Sequence, residues 1–263
     1  MSLHRTILNG IVAAAMAMGG AAAALAADDW LATREGPKVW VMGLDSDDST
    51  TWTGGHDADG YADGPGVMKR FSKNELLSTT EGTQKKGKFE GPVRMVTNDG
   101  TTYEGTYADG QRSGQGTMTW KDGRSYVGGW DKHAMHGNGI MKRPDGVVYQ
   151  GGYEHGAAQG KGSMTFPNGN SYEGDWSKGN PNGKGTSKTL TAKGIVIYEG
   201  DFVNGRHTGK GVQRFADGAR YEGDFLEDAF HGMGTVYGPD GKILMRGKWQ
   251  KDKFVGGAVP DTE

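Results

Sequence analysis

The chain has no cysteine in its 263 residues. That excludes disulfide staples, thiolate catalysis and any metal site built on sulfur ligands, so folding must rest on packing and backbone pairing. It also lacks a surplus of either charge: 30 Lys and Arg stand against 32 Asp and Glu, spread along the sequence. Bulk charge therefore points to neither nucleic acid nor an anionic bilayer. No twin arginine precedes the first apolar run, and no cysteine near its end could take a lipid.

That first run is informative in itself. Arg5 is followed by an Ala-rich apolar stretch, then by Ala24-Leu25-Ala26 before Ala27-Asp28-Asp29. A basic start, an apolar middle and an A-x-A exit predict a secretory signal over residues 1–26. The chain is then exported, to the periplasm or beyond. The competing reading is an uncleaved inner-membrane anchor over residues 7–27, which is nearly long enough to span; Gly19-Gly20 and the small residues at the exit favour cleavage. Without Arg5 the mature chain has 29 basic and 32 acidic residues, a formal net charge of −3.

Glycine is abundant, at 48 residues, well above the usual share of about 7%. Its spacing is regular. Tyr103, Tyr126, Tyr149 and Tyr172 stand 23 residues apart; Tyr198 follows after 26 and Tyr221 after 23 more. Two residues past each tyrosine is a glycine, from Gly105 to Gly223. Four past it is a second aromatic: Tyr107, Trp130, Tyr153, Trp176, Phe202 and Phe225. Paired glycines come later in every unit, as in Gly114/Gly116 and Gly183/Gly185. Most units close on Asp-Gly or Asn-Gly, such as Asp122-Gly123 and Asn168-Gly169. Weaker units flank these. Trp52-Thr53-Gly54 heads a first one, Thr80-Glu81-Gly82 has lost its aromatic, and Met245-Arg246-Gly247-Lys248-Trp249 opens a partial last one ending at Gly256. The array thus covers residues 52–256, with about eight units and a partial ninth.

Within Tyr-Glu-Gly-Asp-Trp the rings and the glycine alternate with carboxylates, as on a strand with one buried face. The partner strand after the glycine pair alternates too and repeats a methionine, at Met95, Met118, Met141 and Met164. The Asp-Gly and Asn-Gly pairs suit tight hairpin turns with positive φ. Each unit reads as strand, turn, strand. The predicted fold is all-β: one elongated, curved antiparallel sheet of stacked hairpins, with rings packed as a ladder over side-chain-free glycines.

The stretches YEGDW, YEGDFVNGRHTGKG and YEGDFLEDAFHGMG resemble the MORN (membrane occupation and recognition nexus) repeat. The resemblance implies a scaffold, adaptor or dimerisation surface, with lipid recognition suggested by the family's name. It departs from the pattern at Thr80, at Val93 in place of a paired glycine, and at an insertion around Leu190–Gly194.

Sharper chemical readings fare poorly against the repeat. Gly183-Lys184-Gly185 places glycine where a phosphate loop needs Ser or Thr, no helix follows, and the same tripeptide recurs at Gly160-Lys161-Gly162 and Gly209-Lys210-Gly211. His133, His136 and His155 form the closest histidine group, but zinc wants three or four convergent ligands, and His136 at its repeat position is expected to pack or cap a turn. Asp57, Asp59 and Asp63 could gather calcium, yet lack the distal bidentate Glu. The recurrent Glu81, Glu104, Glu173, Glu199 and Glu222 form a ladder on a face, not a closed pair of carboxylates. No catalytic residue, cofactor site or metal site is assigned.

The sequence therefore reads as a non-enzyme of the cell envelope that binds a protein partner through its repeat surface. The alternative is a module for lipid headgroups or polysaccharide, which would need exposed rings or clustered basic residues. The rings Tyr103, Tyr107, Tyr126, Trp130, Tyr149, Tyr153, Tyr172, Trp176, Tyr198, Phe202, Tyr221 and Phe225 are the candidate binding or packing surface, packing being the simpler role. In residues 27–51, Lys38 to Met42 are expected to form a strand capping the first edge. The last unit is expected to stop before its second strand, leaving Phe225, Trp249 and Phe254 poorly covered and open to homodimerisation. Residues 257–263 are read as a tail.

Overall fold

The computed structural model describes residues 29–258. The predicted leader over 1–26, the alternative anchor over 7–27 and all but the start of the 257–263 tail lie outside the described residues. Every regular element described is a strand. The chain divides into two compact units, one holding residues 29–144 and 153–156 and the other 145–152 and 157–258.

The first unit contains β1 (Asp29–Ala32), β2 (Lys38–Val41), β3 (Asp48–Trp52), β4 (Gly55–His56), β5 (Ala62–Ser72), β6 (Glu75–Lys85), β7 (Lys88–Thr97), β8 (Thr102–Ala108), β9 (Gln111–Thr119), β10 (Ser125–Asp131) and β11 (Ala134–Lys142). From β5 onward each strand is antiparallel to its neighbour in sequence, and β3 pairs with β5. The strand β12 (Val148–Glu154) spans the division. The second unit continues with β13 (Ala157–Thr165), β14 (Ser171–Ser177), β15 (Asn180–Thr191), β16 (Gly194–Val203), β17 (Arg206–Arg214), β18 (Arg220–Leu226), β19 (Ala229–Tyr237), β20 (Ile243–Gln250) and β21 (Lys253–Ala258). These too pair in sequence order. The hairpin architecture is thus the one the repeat implies, and among the described residues the sheet is not closed: β3 is its last strand in the first unit and β21 in the second.

Two turn types alternate, and only one falls where the sequence pattern put it. At the Asp-Gly positions the loop is one of three residues with a glycine bulge: Gly123 N–H donates to Trp120 O and Trp120 N–H to Arg124 O, both at 2.9 Å. Only the glycine has positive φ, 85° at Gly123. The acid serves differently, as Asp122 Oδ1 accepts the N–H of Arg124 at 3.1 Å and Asn168 repeats this on Asn170 at 3.0 Å. The two-residue primed turns lie instead between the paired aromatics and the glycine pair. Asp109 and Gly110 have φ of 52° and 79°, and Asn204 and Gly205 have 48° and 78°. These turns also link successive hairpins, because the second turn residue donates to a carbonyl of the hairpin before it, as in Gly110 N–H to Phe89 O at 3.0 Å and Gly179 N–H to Ala158 O at 2.9 Å.

The glycines pair across strands. Gly105 faces Gly116, which faces Gly128, which faces Gly139; Gly162, Gly174, Gly185, Gly200, Gly211, Gly223, Gly234 and Gly247 form a second row. The ring lying on each pair is the unit's own tyrosine, not one from a neighbouring unit. The flanking units obey the same geometry. The Trp52 ring covers Gly54 and Gly66, and its Nε1–H donates to Gly55 O at 2.9 Å. Where Thr80 replaces the tyrosine, Val93 replaces the glycine, and both are buried. Each departure fills the space the other leaves.

Both chain ends differ from expectation. The β2 strand does not form the edge cap; β1 and β2 make a separate two-stranded sheet. The turn between them closes β3, with Arg34 N–H donating to Thr50 O at 3.0 Å and Glu35 Oε2 accepting the Trp52 N–H at 3.0 Å. At the other end the last unit does complete its second strand: β21 pairs with β20 from Arg246–Ala258 to Gln250–Lys253.

Candidate interaction surface

The ring side of the sheet is sealed by the chain itself. Tyr103, Tyr126, Tyr149, Tyr172, Tyr198 and Tyr221 are at most 1% exposed, and Tyr107, Trp130, Tyr153, Trp176, Phe202 and Phe225 at most 8%. Each tyrosine meets its own unit's second aromatic edge to face, as Tyr172–Trp176 at 5.3 Å, and that of the following unit, as Tyr172–Phe202 at 4.8 Å. Such pairs add about 0.5–1.5 kcal/mol each beyond area burial. The buried hydroxyls are satisfied inside the strand, each donating to the carbonyl three residues on: Tyr126 to Gly129 O at 2.9 Å, Tyr172 to Asp175 O at 2.9 Å, Tyr221 to Asp224 O at 3.0 Å. Burial pushes the Tyr103 and Tyr126 hydroxyls up to about 12, so they remain donors. A sugar has no ring of these columns to stack on.

Of the residues predicted for self-association, Phe225 and Trp249 are only 3% and 2% exposed: Phe225 meets the rings of Tyr198, Tyr221 and Phe230, and Trp249 meets those of Tyr221, Phe230 and Phe254 of β21. Phe254 is half-buried and Val255 is 51% exposed on the terminal strand.

The opposite side carries the charges. Lys184 of Gly-Lys-Gly reaches Asp201 of the next unit at 2.7 Å, as Lys161 reaches Asp175 at 2.7 Å and Lys210 reaches Asp224 at 2.6 Å. The tripeptide lysine is a staple between hairpins. Being exposed, each pair contributes at most about 1 kcal/mol, so the rings outweigh the staples. The aspartates also serve their own hairpins: Asp175 Oδ2 accepts the Lys184 N–H at 3.0 Å. Glu81, Glu104, Glu173 and Glu199 are exposed, and Arg94 stands opposite both Glu81 and Glu104 in register.

The other candidates scatter. His133 and His155 lie in primed turns, and His136 is exposed on β11, so it neither packs nor caps as expected. Asp57 Oδ1 accepts the N–H groups of Asp59 at 3.0 Å and Tyr61 at 2.9 Å, which makes it a turn brace. Among the described residues no group of three His, Asp or Glu gathers as a metal site.

Two features escaped sequence reasoning. The insertion lengthens the β15–β16 hairpin and leaves Leu190, Ile195 and Ile197 exposed at 54%, 41% and 38%. Leu190 pairs with Ile195, and Ile197 lies between Lys188 and Arg214. The signal was available, since these residues are out of phase with Tyr198 and must point away from the rings. The second feature is a buried polar group within the ring layer. Ser187 Oγ is 3.1 Å from His207 Nε2, the His207 ring stacks on Tyr198 at 3.7 Å, and Asp228 Oδ1 accepts the backbone N–H of His207 at 2.8 Å. This Ser–His–Asp arrangement is enclosed: Ser187 is 1% exposed, and the His207 Nδ1 to Asp228 Oδ1 distance is 3.8 Å. Ser187 stands at the position that Met95, Met118, Met141 and Met164 hold in the preceding units, so the group replaces apolar packing.

An antiparallel array of hairpins, with buried rings on one side of the sheet and charges on the other, defines a β-hairpin repeat protein. The MORN repeat family matches at residues 103–123, 126–148, 149–171, 172–188, 198–220 and 221–243. The chain belongs to that family, whose repeats are non-enzymatic and generally serve protein or lipid interaction. No curated protein sequence matches it. Among solved structures, a mutant of the TCP10 domain of CPAP from Danio rerio is similar, with 12% identity, a TM-score of 0.38 and coverage of 84% of this chain and 99% of that one.

Proposed function

We propose that the chain is a non-catalytic scaffold or adaptor of the cell envelope that binds a protein partner, a second copy of itself included, through its C-terminal hairpins. The carrying observation is the difference between its two sheet edges. The β3 edge is occupied by Arg34 and Glu35, whereas among the described residues β21 pairs on one side only, and it exposes Val255. An uncovered edge is a template for another strand, and two identical edges close as a two-fold dimer. With β3 occupied, head-to-tail growth is disfavoured and tail-to-tail pairing remains. Phe254 and the β21 backbone are the contact, while Trp249 packs against Phe254 at 5.3 Å and Phe225 stays within the ring layer.

The test is light scattering coupled to size exclusion, on the protein and on a Val255→Lys variant. A lysine at this exposed position blocks an edge without disturbing the core. A dimer that Val255→Lys turns into a monomer supports the reading. A protein that is monomeric at high concentration removes it.

A further inference from the structure

One position in each unit lies two residues after the primed turn, beneath the tyrosine. It holds Phe89, Arg112, Met135, Ala158, Pro181, His207 and Phe230 in successive units. Its backbone N–H meets the side chain of the following unit's second turn residue where that residue can accept. Asp228 Oδ1 takes the N–H of His207 at 2.8 Å, and Asp252 Oδ1 takes that of Phe230 at 2.8 Å. At Arg112 the acceptor is not a carboxylate but a histidine, with Arg112 N–H at 3.5 Å from His133 Nδ1. The one arginine of the column thus stands where the turn supplies no negative charge.

The consequences are local and specific. The Arg112 guanidinium lies over Trp130 at 4.8 Å and Tyr103 at 5.6 Å. It reaches Met118 Sδ at 3.4 Å and His133 O at 3.3 Å. Among the described residues it has no carboxylate partner. Arg112 Nε is buried without an acceptor, and so is His133 Nε2. Because His133 Nδ1 faces the Arg112 N–H, the imidazole proton belongs on Nε2, so both orphan atoms are donors. Burial, with the Arg112 charge second, holds His133 down at about 4, which leaves it neutral. A desolvated cation and two unmet donors in one place are costly unless an anionic acceptor completes them. Each residue as a whole is half-buried.

We infer that Arg112 and His133, floored by Tyr103, Tyr107 and Trp130, form a recognition point for a carboxylate. The site is independent of the C-terminal edge. Where the later units place an aspartate on this backbone N–H, His133 takes it here, so the guanidinium is left without an internal carboxylate and an outside one would supply it.

The experiment is an NMR titration of the whole chain, following the Arg112 Nε–H. Sodium acetate is compared with sodium chloride at matched ionic strength, and then with a short end-blocked peptide carrying one Glu between leucines. Acetate should shift the signal saturably where chloride does not. Arg112→Met, which copies Met135, should abolish the response. His133→Asp should abolish it too, by supplying the internal carboxylate found at Asp228 and Asp252, and should raise Tm. Tighter binding of the peptide than of acetate would identify a protein side chain as the ligand; binding of acetate with exclusion of the peptide would identify a small free carboxylate. An acetate response no different from chloride, or one that survives in folded Arg112→Met, overturns the inference.

Discussion

The ring of Tyr172 lies on Gly185 of the neighbouring strand so closely that a Cβ at 185 would sit 2.5 Å from the tyrosine oxygen and 2.6 Å from Cε2. The glycine pair is thus the socket of the ring, and the units led by Tyr103, Tyr126, Tyr149, Tyr198 and Tyr221 repeat it. Gly185→Val should destabilise the protein by roughly 1–3 kcal/mol or more through overpacking. The Thr80 and Val93 unit suggests the rescue: Tyr172→Thr with Gly185→Val should cost clearly less than the two single changes added, by about 0.5–3 kcal/mol. Denaturant unfolding of the four proteins in the cycle measures this, and strict additivity would refute the socket.

A second contrast separates the ring layer from the charged face. Tyr198 donates to Asp201 O at 2.9 Å from a buried hydroxyl, so Tyr198→Phe should cost about 0.5–1.5 kcal/mol. Lys184→Ala removes an exposed ion pair and should cost at most about 1 kcal/mol, with no loss of any nucleotide-dependent activity. Denaturation midpoints that ranked Lys184 well above Tyr198 would show the staples, not the rings, to dominate.

How much of this was legible follows from periodicity. The 23-residue spacing of Tyr103, Tyr126, Tyr149 and Tyr172 fixes strands, hairpins and ring columns, because alternation decides which side chains share a face. The primed turns were not legible, since their residues vary from Asp109-Gly110 to Lys132-His133 and Glu227-Asp228, and non-glycine residues adopt positive φ there. The chain ends were misread because neither resembles a full unit: the β1–β2 turn closes β3 with a side chain and one amide, and β21 pairs with β20 although Met245 stands where the hairpins from Tyr103 to Tyr221 carry a tyrosine. The Arg112 and His207 positions could not be weighed without knowing which turn residue reaches them from the next hairpin.

Export makes a separate prediction. If the A-x-A exit at Ala24-Leu25-Ala26 is cut, mass spectrometry of protein from an osmotic-shock fraction should find the N-terminus at Ala27 or Asp28. An intact Met1 in the membrane pellet would favour the anchor over 7–27.

Acid should expose the cost of the buried histidines. Burial lowers His207 from 6.5 to about 3 and His133 from 6.5 to about 4, the latter helped by the charge of Arg112. A base whose folded pKa is depressed stabilises the fold fully above its unfolded value, and that stability is lost as pH falls from 6.5 toward the folded value, at up to ~1.4 kcal/mol per pH unit for each group. Asp228 acts in the opposite sense: burial raises its carboxyl above 3.8, so its contribution is fully present in acid and is lost as pH rises through the folded value. The histidines govern the interval just below 6.5, where an unfolded Asp stays ionised. Ser187→Val with His207→Phe puts in place the residues that the Tyr221 unit carries at the same two repeat positions, Val236 and Phe230, and removes one of the two titrating groups. Between about pH 7 and about pH 5, denaturant unfolding should show the parent losing more stability than this double variant, with a shallower slope in the variant. Equal slopes would mean that His207 reaches solvent on protonation without disturbing the ring layer.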